Sequence, residues 1–243
     1  MKILYCRPIK TNRISQNFGE NRACVYPNGR VVGKRGGLCP VGSKDLYKSV
    51  GMLGHNGVDR VAWFKEPVYF SYDFLGWIKT EIDLAGGVGI DIVSKERVLK
   101  CNELNCDETH YIKQRMWHHW EIVDGVWDKK EVRWGVHVAN ADTSGLSSGH
   151  HVHESLKWCN KYGDGIHNGK NGWLDNGYHG AFDPVKHPDI EIIDEFIIDY
   201  LKKEVEVKIT EVQLSLIQIL TKFIFILQEQ IRKLKIGSIF QGR

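Results

Sequence analysis

The sequence predicts an antiparallel all-β domain with long loops, followed by a helical tail. Short apolar runs alternate with turn residues at a spacing of about ten residues over most of the chain, a pattern typical of successive β-hairpins. Turn-forming and aromatic residues are frequent, with 25 Gly, 8 Trp, 9 Tyr and 9 Phe in 243 residues. After Pro188 the pattern changes to apolar and charged stretches with helical spacing.

The expected strands follow one another along the first part of the chain. A short strand over 11–20 ends at a turn, and residues 24–46, rich in Gly, Pro, Lys and Arg, indicate a surface insertion. The other predicted strands cover 67–72, 77–82, 90–93, 115–122, 132–138 and 151–157. A loop rich in Gly, Asn and Asp then covers 160–180 and ends the β domain, which we expect to span 1–188.

Residues 189–243 are expected to form the helical tail. Ile190–Lys203 fits a short amphipathic helix, whereas 205–209 alternates as a strand does. A second helix is predicted over 211–236, with Thr210 and Gln213 as a capping box and Gly237 as its stop.

The middle of this second helix, Leu214–Leu227, is apolar around most of its circumference. A membrane span needs about 20 largely apolar residues, and Gln218 and Lys222 interrupt this stretch. Self-association or partner binding is therefore favoured, an interfacial membrane helix comes second, and a true span comes third.

Net charge, the first residues and the cysteine content give expectations about nucleic-acid binding, the place of synthesis and the state of the thiols. A formal net charge of +3 is too small to indicate nucleic-acid binding. Met1–Pro8 lacks the apolar stretch of a signal peptide, so synthesis in the cytoplasm is expected. Six cysteines are few for this length; free buried thiols are favoured over a disulfide between Cys24 and Cys39 or a second metal site at the Cys101-x4-Cys106 pair.

The sequence Ser147–Glu154 contains two histidines, His151 and His153, that are two residues apart. On a strand, residues i and i+2 point to the same face, and Val152 between them points to the opposite, apolar face. Two imidazoles side by side on a strand supply half of a metal or acid–base site.

The other half of such a site stands earlier in the chain. His55 and Asp59 are four residues apart with Gly57 between them. Together with one histidine of the later pair they make three nitrogen and oxygen ligands and leave one position for water. This ligand set is typical of a catalytic zinc site rather than a structural one.

In chain order, the two half-motifs and the segments between them resemble the lysostaphin-type (LytM-like) zinc metallopeptidases. This family cuts peptide cross-links or stems in bacterial cell walls, and the resemblance covers roughly residues 11–185. It is closest to members found in phages and prophages, which often lack signal peptides. The matching segments are Gln16–Gly19, His55-x3-Asp59, Pro67–Val68, Asp73–Gly76, Gly86-Gly87-x-Gly89, Trp117–His118, Ala141–Gly145 and Ser147-x-Gly149-x-His151-x-His153.

The resemblance implies a role for each matching residue. His55, Asp59 and His153 correspond to the ligands of one Zn²⁺ per chain, and His151 to a catalytic histidine. The family's other catalytic histidine follows an aromatic residue and precedes a leucine. His118 fits that position, and its neighbour His119, which stands where leucine is usual, is the alternative.

Other implications concern the substrate and the setting. The resemblance implies a zinc endopeptidase that hydrolyses peptidoglycan peptides, acting at the cell wall after release or as part of a phage particle. Substrate contacts are expected at His119, Trp173 and Tyr178. Glu154 replaces the aromatic residue that usually follows the His-x-His pair, which leaves substrate choice open. The rival functions are a non-hydrolytic cell-wall-binding or phage structural module and a zinc peptidase that acts on ordinary proteins.

Overall fold

A computed structural model describes residues 2–20, 23–33, 38–84, 86–100, 109–165 and 176–240. Its contacts divide the chain into two compact units, Met1–Ile197 and Ile198–Arg243. The first unit consists mostly of antiparallel β-sheet, as the alternating pattern predicts. Cys101 and Cys106, which are expected to be free thiols, and Trp173, an expected substrate contact, lie outside the described residues.

Sixteen strands and two α-helices are present among the described residues. The strands are β1 (Ile3–Arg7), β2 (Ile14–Gln16), β3 (Ala23–Val25), β4 (Val31–Gly33), β5 (Lys44–Asp45), β6 (Val58–Val61), β7 (Pro67–Tyr69), β8 (Gly76–Asp83), β9 (Gly87–Ser94), β10 (Leu99–Lys100), β11 (Thr109–Ile122), β12 (Glu131–Val132), β13 (His137–Ala141), β14 (His151–Cys159), β15 (Ala181–Phe182) and β16 (Ile190–Phe196). The helices are α1 (Leu46–Ser49) and α2 (Ile197–Phe240), and a short 3₁₀-helix covers Pro184–Lys186.

The main sheet has the strand order β12-β8-β9-β11-β14-β6-β2 within the described residues, and neighbouring strands in it are antiparallel. Its two central strands, β11 and β14, pair from Tyr111 opposite Cys159 to Trp117 opposite His153. The predicted strand over 132–138 is wrong in one respect. It is two short strands, β12 and β13, separated by a turn in which Gly135 has a φ of 80°.

The hydrophobic core lies against one face of the main sheet. Its largest fully buried apolar side chains come from β7–β9, β11 and β14 and from the segments joining them. They include Phe70, Tyr72, Ile78, Ile90, Ile92, Ile112, Met116, Leu156 and Trp158. Burying each aliphatic or aromatic side chain of this kind contributes about 1.5–3 kcal/mol, so this core holds the two central strands in register.

The predicted insertion forms a small sheet of its own, with the strand order β4-β3-β5. The preference for free thiols is wrong for Cys24 and Cys39, which form a disulfide with a Cα–Cα distance of 5.6 Å. A sheet of three strands of two to three residues has little core to bury, and the disulfide supplies the missing constraint. Cys6 and Cys159 are buried free thiols.

The predicted helix over Ile190–Lys203 is wrong in its first half. Ile190–Phe196 is strand β16, which pairs in parallel with β1 from Ile3 opposite Ile190 onward. Residues 190–196 contain apolar residues that fit either period, and only the distant partner strand β1 selects the extended form. Strand β16 therefore belongs to the first unit, beyond the expected end of the β domain at residue 188.

The second unit is one continuous helix, α2, of 44 residues. The predicted helix start at Thr210 and stop at Gly237 are both wrong, because both residues lie inside α2. The hydroxyl of Thr210 donates to the carbonyl of Glu206 at 3.0 Å, a bond within the helix rather than a cap. Among the described residues, Ile197–Leu227 is the one segment long and apolar enough to cross a membrane, judged by length and composition alone.

Candidate metal centre

Strands β6 and β14 bring the two predicted half-sites together. Their register places Asp59 directly opposite His153, and His55 lies in the loop just before β6. The Nε2 atom of His55 is 2.9 Å from Nδ1 of His153, and the Asp59 Oδ1 atom is 3.1 Å and 3.0 Å from these two nitrogens. Val152 is fully buried in the core on the reverse face, as strand alternation requires.

Gly57 explains why a glycine stands between His55 and Asp59. A Cβ atom at this position would lie 2.4 Å from the carbonyl oxygen of Glu154 and 2.8 Å from Nε2 of His153. Neither neighbour has room to move, since the first is strand backbone and the second belongs to the site. The loop therefore approaches β14 closely only because residue 57 has no side chain.

A backbone irregularity in β11 places His118 at the same site. His118 has a φ of 69°, in the left-handed region, and the pairing of β11 with β9 shifts register between Met116 and His119. Such a bulge breaks the strict alternation of side chains and redirects the residue at the kink. The ring centroid of His118 lies 4.4 Å from that of His151 and 6.3 Å from that of His153.

The glycines of the Gly86-Gly87-x-Gly89 segment make room for this arrangement. A Cβ atom at Gly86 or Gly89 would lie 2.3 Å or 2.4 Å from the ring of Trp117, so this ring lies directly against bare backbone. The amide of His118 donates to the Gly86 carbonyl at 3.1 Å. The glycine segment and the bulge in β11 thus stabilise each other, and together they set the position of the His118 side chain.

Hydrogen bonds to backbone carbonyls orient His118 and His151. The Nδ1 atom of His118 donates to the Ser144 carbonyl at 2.6 Å, and Nδ1 of His151 donates to the Gly149 carbonyl at 2.8 Å. With the proton on Nδ1, each neutral ring has its lone pair on Nε2. The Nε2 atom of His151 lies 3.7 Å from Oδ1 of Asp59, at the edge of the three-residue cluster.

His119 lies in a different environment from its neighbour. It is fully buried, and burial together with the nearby His118 lowers its pKa to about 3. The expected substrate contact by His119 does not fit this position, because no part of the side chain reaches the surface. The structure separates the two candidates that the sequence leaves open and places only His118 beside His151.

Burial also controls the charges within the cluster. Burial of Asp59 by itself would raise its pKa, but hydrogen bonds with His153 and His55 hold the pKa of this carboxyl well below its usual range. Burial lowers the pKa of His153 to about 3, and burial with the neighbouring His151 lowers that of His118 to about 4. At neutral pH the site therefore combines the Asp59 carboxylate with the uncharged imidazoles of His153 and His118.

This donor set fits a zinc ion. Two imidazole nitrogens and one carboxylate oxygen converge, and three protein ligands of this kind leave a position for water. The Nδ1 atom of His55 lies 3.3 Å from the Asn17 carbonyl, which places its proton there and leaves Nε2 facing the other donors. Outer hydrogen bonds of this type are usual around metal-binding histidines.

His150 and the predicted substrate contact Tyr178 lie apart from the cluster. His150 is half exposed and contacts Asp142, with 3.2 Å between Nδ1 and Oδ1. Tyr178 packs on Phe18, with ring centroids 4.7 Å apart, and lines a cavity of about 310 Å³ that contains none of the five clustered residues. The expected groove contact by Tyr178 therefore has no counterpart at this site.

The sequence reasoning missed a buried polar network behind the ligand strands. The carboxylate of Glu154 accepts hydrogen bonds from Tyr5 at 2.7 Å, Gln114 at 2.6 Å and Ser71 at 3.1 Å. Arg60 donates to the Tyr5 hydroxyl at 2.9 Å and lies 3.5 Å from Glu154. Glu154 follows His153 and Arg60 follows Asp59, so the network joins the reverse faces of both ligand strands.

No protein-family model and no curated protein matches this chain. Among solved structures, the catalytic domain of the antimicrobial peptidase lysostaphin from Staphylococcus simulans is 17% identical, over 68% of this chain and 87% of that chain, with a TM-score of 0.39. A zinc-containing peptidase from Vibrio cholerae is 19% identical, over 63% of this chain and 37% of that chain, with a TM-score of 0.39.

A catalytic domain of the prophage-encoded protein EnpA from Enterococcus faecalis is 20% identical, over 67% of this chain and 98% of that chain, with a TM-score of 0.34. The chain spans less than half the length of the first structures it matches, with 37%, 38% and 43% covered.

Proposed function

We propose that this protein is a zinc-dependent endopeptidase that hydrolyses peptide bonds of bacterial peptidoglycan. The observation that carries the proposal is the convergence of five predicted side chains from three separate segments of the chain on one place. Three of them, His55, Asp59 and His153, have donor atoms within hydrogen-bond distance of one another. The other two, His118 and His151, lie beside them, with ring centroids 4.4 Å apart and ring planes tilted by 39°.

The three clustered residues would hold the metal through Nε2 of His55, Oδ1 of Asp59 and Nδ1 of His153. Bound zinc in such a site lowers the pKa of a coordinated water from 15.7 toward about 7 and polarises a substrate carbonyl. With one carboxylate among the three donors, a bound Zn²⁺ would keep a net positive charge, so the site would attract the carbonyl oxygen of a peptide.

His118 and His151 would handle protons. Each donates its Nδ1 proton to a backbone carbonyl, so each has Nε2 available to take a proton from the attacking water. A ring protonated at Nε2 can then donate to the oxyanion or return the proton to the leaving amine. The fixed backbone acceptors hold both rings in one orientation during these transfers.

The choice of peptidoglycan as substrate is supported by the lysostaphin-type motif order in the sequence. The test is mass spectrometry of muropeptides after purified peptidoglycan has been treated with the zinc-loaded protein. New peptide ends are expected with the wild type and not with His151→Ala. Walls from several bacterial types would be compared, because Glu154 and the insertion leave the bond unspecified.

The competing function is a non-hydrolytic wall-binding or structural module. It would give no new peptide ends with either protein, although one zinc ion would still bind per chain. Release of fragments from an ordinary unfolded protein, and none from any wall, would instead indicate a general zinc peptidase. Either result would contradict the proposal.

A further inference from the structure

A cleft of about 610 Å³ adjoins the metal centre on its β2 side. Asp59 and His151 line it at one end, so any substrate held at the metal centre extends into it or past it. The register of three adjacent strands defines its floor. His151 on β14 lies opposite Val61 on β6, and the amide of Val61 donates to the carbonyl of Arg13, just before β2, at 2.9 Å.

Arg13 stands at the far end of this row. Its side chain is exposed, and among the described residues its guanidinium has no ion pair and no hydrogen bond. It is the one permanent cation among the described residues that line the cleft. The carboxylate on the lining, Asp59, is held by His55 and His153 instead.

Apolar side chains form the walls between the metal centre and Arg13. Val31 and Val32 on β4 form one wall, and the exposed Trp63, at 77%, stands on another. Val32 lies opposite Cys24 in the register of β3 and β4, and the Cys24–Cys39 disulfide ties that strand to the rest of the insertion. The insertion thus supplies one wall of the cleft, and the disulfide stabilises that wall.

We infer that this cleft is a substrate subsite in which Arg13 binds a carboxylate of the peptide. Neighbouring strands are about 4.8 Å apart, so Arg13 and His151 are about 10 Å apart along the row. A peptide advances about 3.4 Å per residue, so the carboxylate belongs about three residues from the scissile bond. The valine walls suit short aliphatic side chains in between, and a guanidinium binds a carboxylate through two parallel hydrogen bonds.

This inference rests on the proposed function for the identity of the peptide, and its test separates the two. The probes are soluble cross-linked muropeptides and the same muropeptides after chemical conversion of their carboxylates to carboxamides. Binding is measured by calorimetry with the full zinc-loaded chain carrying His118→Ala, which blocks turnover. Cleavage of both probes by the chain with His118 intact is measured separately.

The native probe is expected to bind about three- to tenfold more tightly than the amidated probe. Arg13→Gln removes this preference, Arg13→Lys keeps part of it, and Arg13→Glu reverses it. The matched control is Arg133→Gln, at an exposed arginine outside the cleft, which keeps the full preference.

Equal binding of the two probes, or a preference that persists in Arg13→Gln, would overturn the subsite. A preference that depends on Arg13 without any cleavage would support the subsite and contradict the proposed function. Cleavage without a charge preference would leave the proposed function standing and remove Arg13 from substrate recognition.

Discussion

Adjacent residues of β11 occupy opposite environments at the centre of this molecule. His118 adopts a φ of 69° and turns toward His151, whereas His119 is fully buried. A left-handed conformation is uncommon in a residue other than glycine and persists only where the surroundings require it. Here the Ser144 carbonyl and the Trp117 ring packed against Gly86 and Gly89 provide that requirement.

The roles of the clustered side chains can be separated by single substitutions. His55→Ala or Asp59→Ala removes a metal donor, so zinc and activity are expected to be lost together. His151→Ala is expected to lose activity and keep zinc, because its Nε2 lies outside the three-donor cluster. Zinc content by atomic absorption and cleavage of muropeptides are the two measurements, and loss of zinc in His151→Ala would contradict this division of roles.

His119 gives a prediction about pH and stability. The folded-state pKa of His119 is about 3, below its ordinary value of 6.5. Between these two pH values the imidazole is therefore protonated in the unfolded chain and uncharged in the folded chain. Stability from this residue is complete above pH 6.5 and declines as the pH falls toward 3, at up to about 1.4 kcal/mol per pH unit. His119→Leu is expected to remove this part of the pH dependence of the free energy of unfolding.

The same substitution replaces buried imidazole nitrogens with a side chain of similar size. Neither nitrogen makes a hydrogen bond of normal geometry with the described residues. At pH 7 the free energy of unfolding of the leucine variant should therefore be about 1–2 kcal/mol higher than that of the wild type. Cleavage activity should be retained. Urea titrations of both proteins at several pH values give the comparison, and parallel slopes would show that His119 is not the group responsible.

At the scale of elements, strands β6 and β14 each present a metal-site face and a reverse face. Asp59, His151 and His153 point one way, and Arg60, Val152 and Glu154 the other. Because side chains alternate between the two faces, one register of β6 against β14 fixes the side chains on both faces at once. The buried network around Glu154 therefore stabilises the same strand pairing that opposes Asp59 and His153.

Glu154→Gln tests this network. The substitution keeps the shape but removes the charge beside Arg60, which is 7% exposed and would be left without its carboxylate. Unfolding free energy is expected to fall by about 3 kcal/mol, and zinc affinity to fall with it. Glu131→Gln, which removes an exposed ion pair with Lys95, is the matched control and should change stability by less than about 0.5 kcal/mol.

The insertion gives a separate prediction. Cys24 and Cys39 are separated by 15 residues, and closing a loop of this length stabilises a folded state by about 3 kcal/mol. Joint replacement by serine is expected to lower hydrogen-exchange protection in β3, β4 and β5 while the main sheet keeps its protection. The unsubstituted protein under reducing conditions should behave like the variant, and unchanged protection in both would contradict a stabilising role.

At the scale of the whole molecule, the chain comprises a β unit, Met1–Ile197, and a helical unit, Ile198–Arg243. In α2, large apolar side chains from Val205 to Leu227 are 46–64% exposed. We expect exposed apolar surface on this scale to contact protein or lipid. Interruption of the apolar stretch by Gln218 and Lys222 favours contact with protein over a full span.

Removal of the helix tests this division. A chain that ends at Ile197 keeps strand β16 and its pairing with β1, so it is expected to fold and to bind zinc like the full chain. The full chain should sediment as an oligomer and the shortened chain as a monomer. Flotation of the full chain with lipid vesicles, without oligomers in their absence, would assign the helix to a membrane instead.

Local patterns in the sequence determined much of this protein. Alternation and turn residues predict the antiparallel sheet. Two short motifs supply four of the five clustered residues, and the fifth, His118, comes from an aromatic strand. The prediction of the sheet is confirmed because strand alternation depends on neighbours two residues apart. The metal ligands stay a prediction, which the sequence allows because metal ligands are limited to a few residue types.

Only the tertiary structure decided the remainder, because each such feature depends on a partner distant in sequence. Strand β16 exists because β1 pairs with it, although its apolar residues also fit a helix. His118 rather than His119 faces His151 because a bulge against β9 breaks the alternation that the sequence implies. Glu154 is stable in the core because Tyr5, Ser71 and Gln114 meet it from three other segments, and burial of a carboxylate requires such partners.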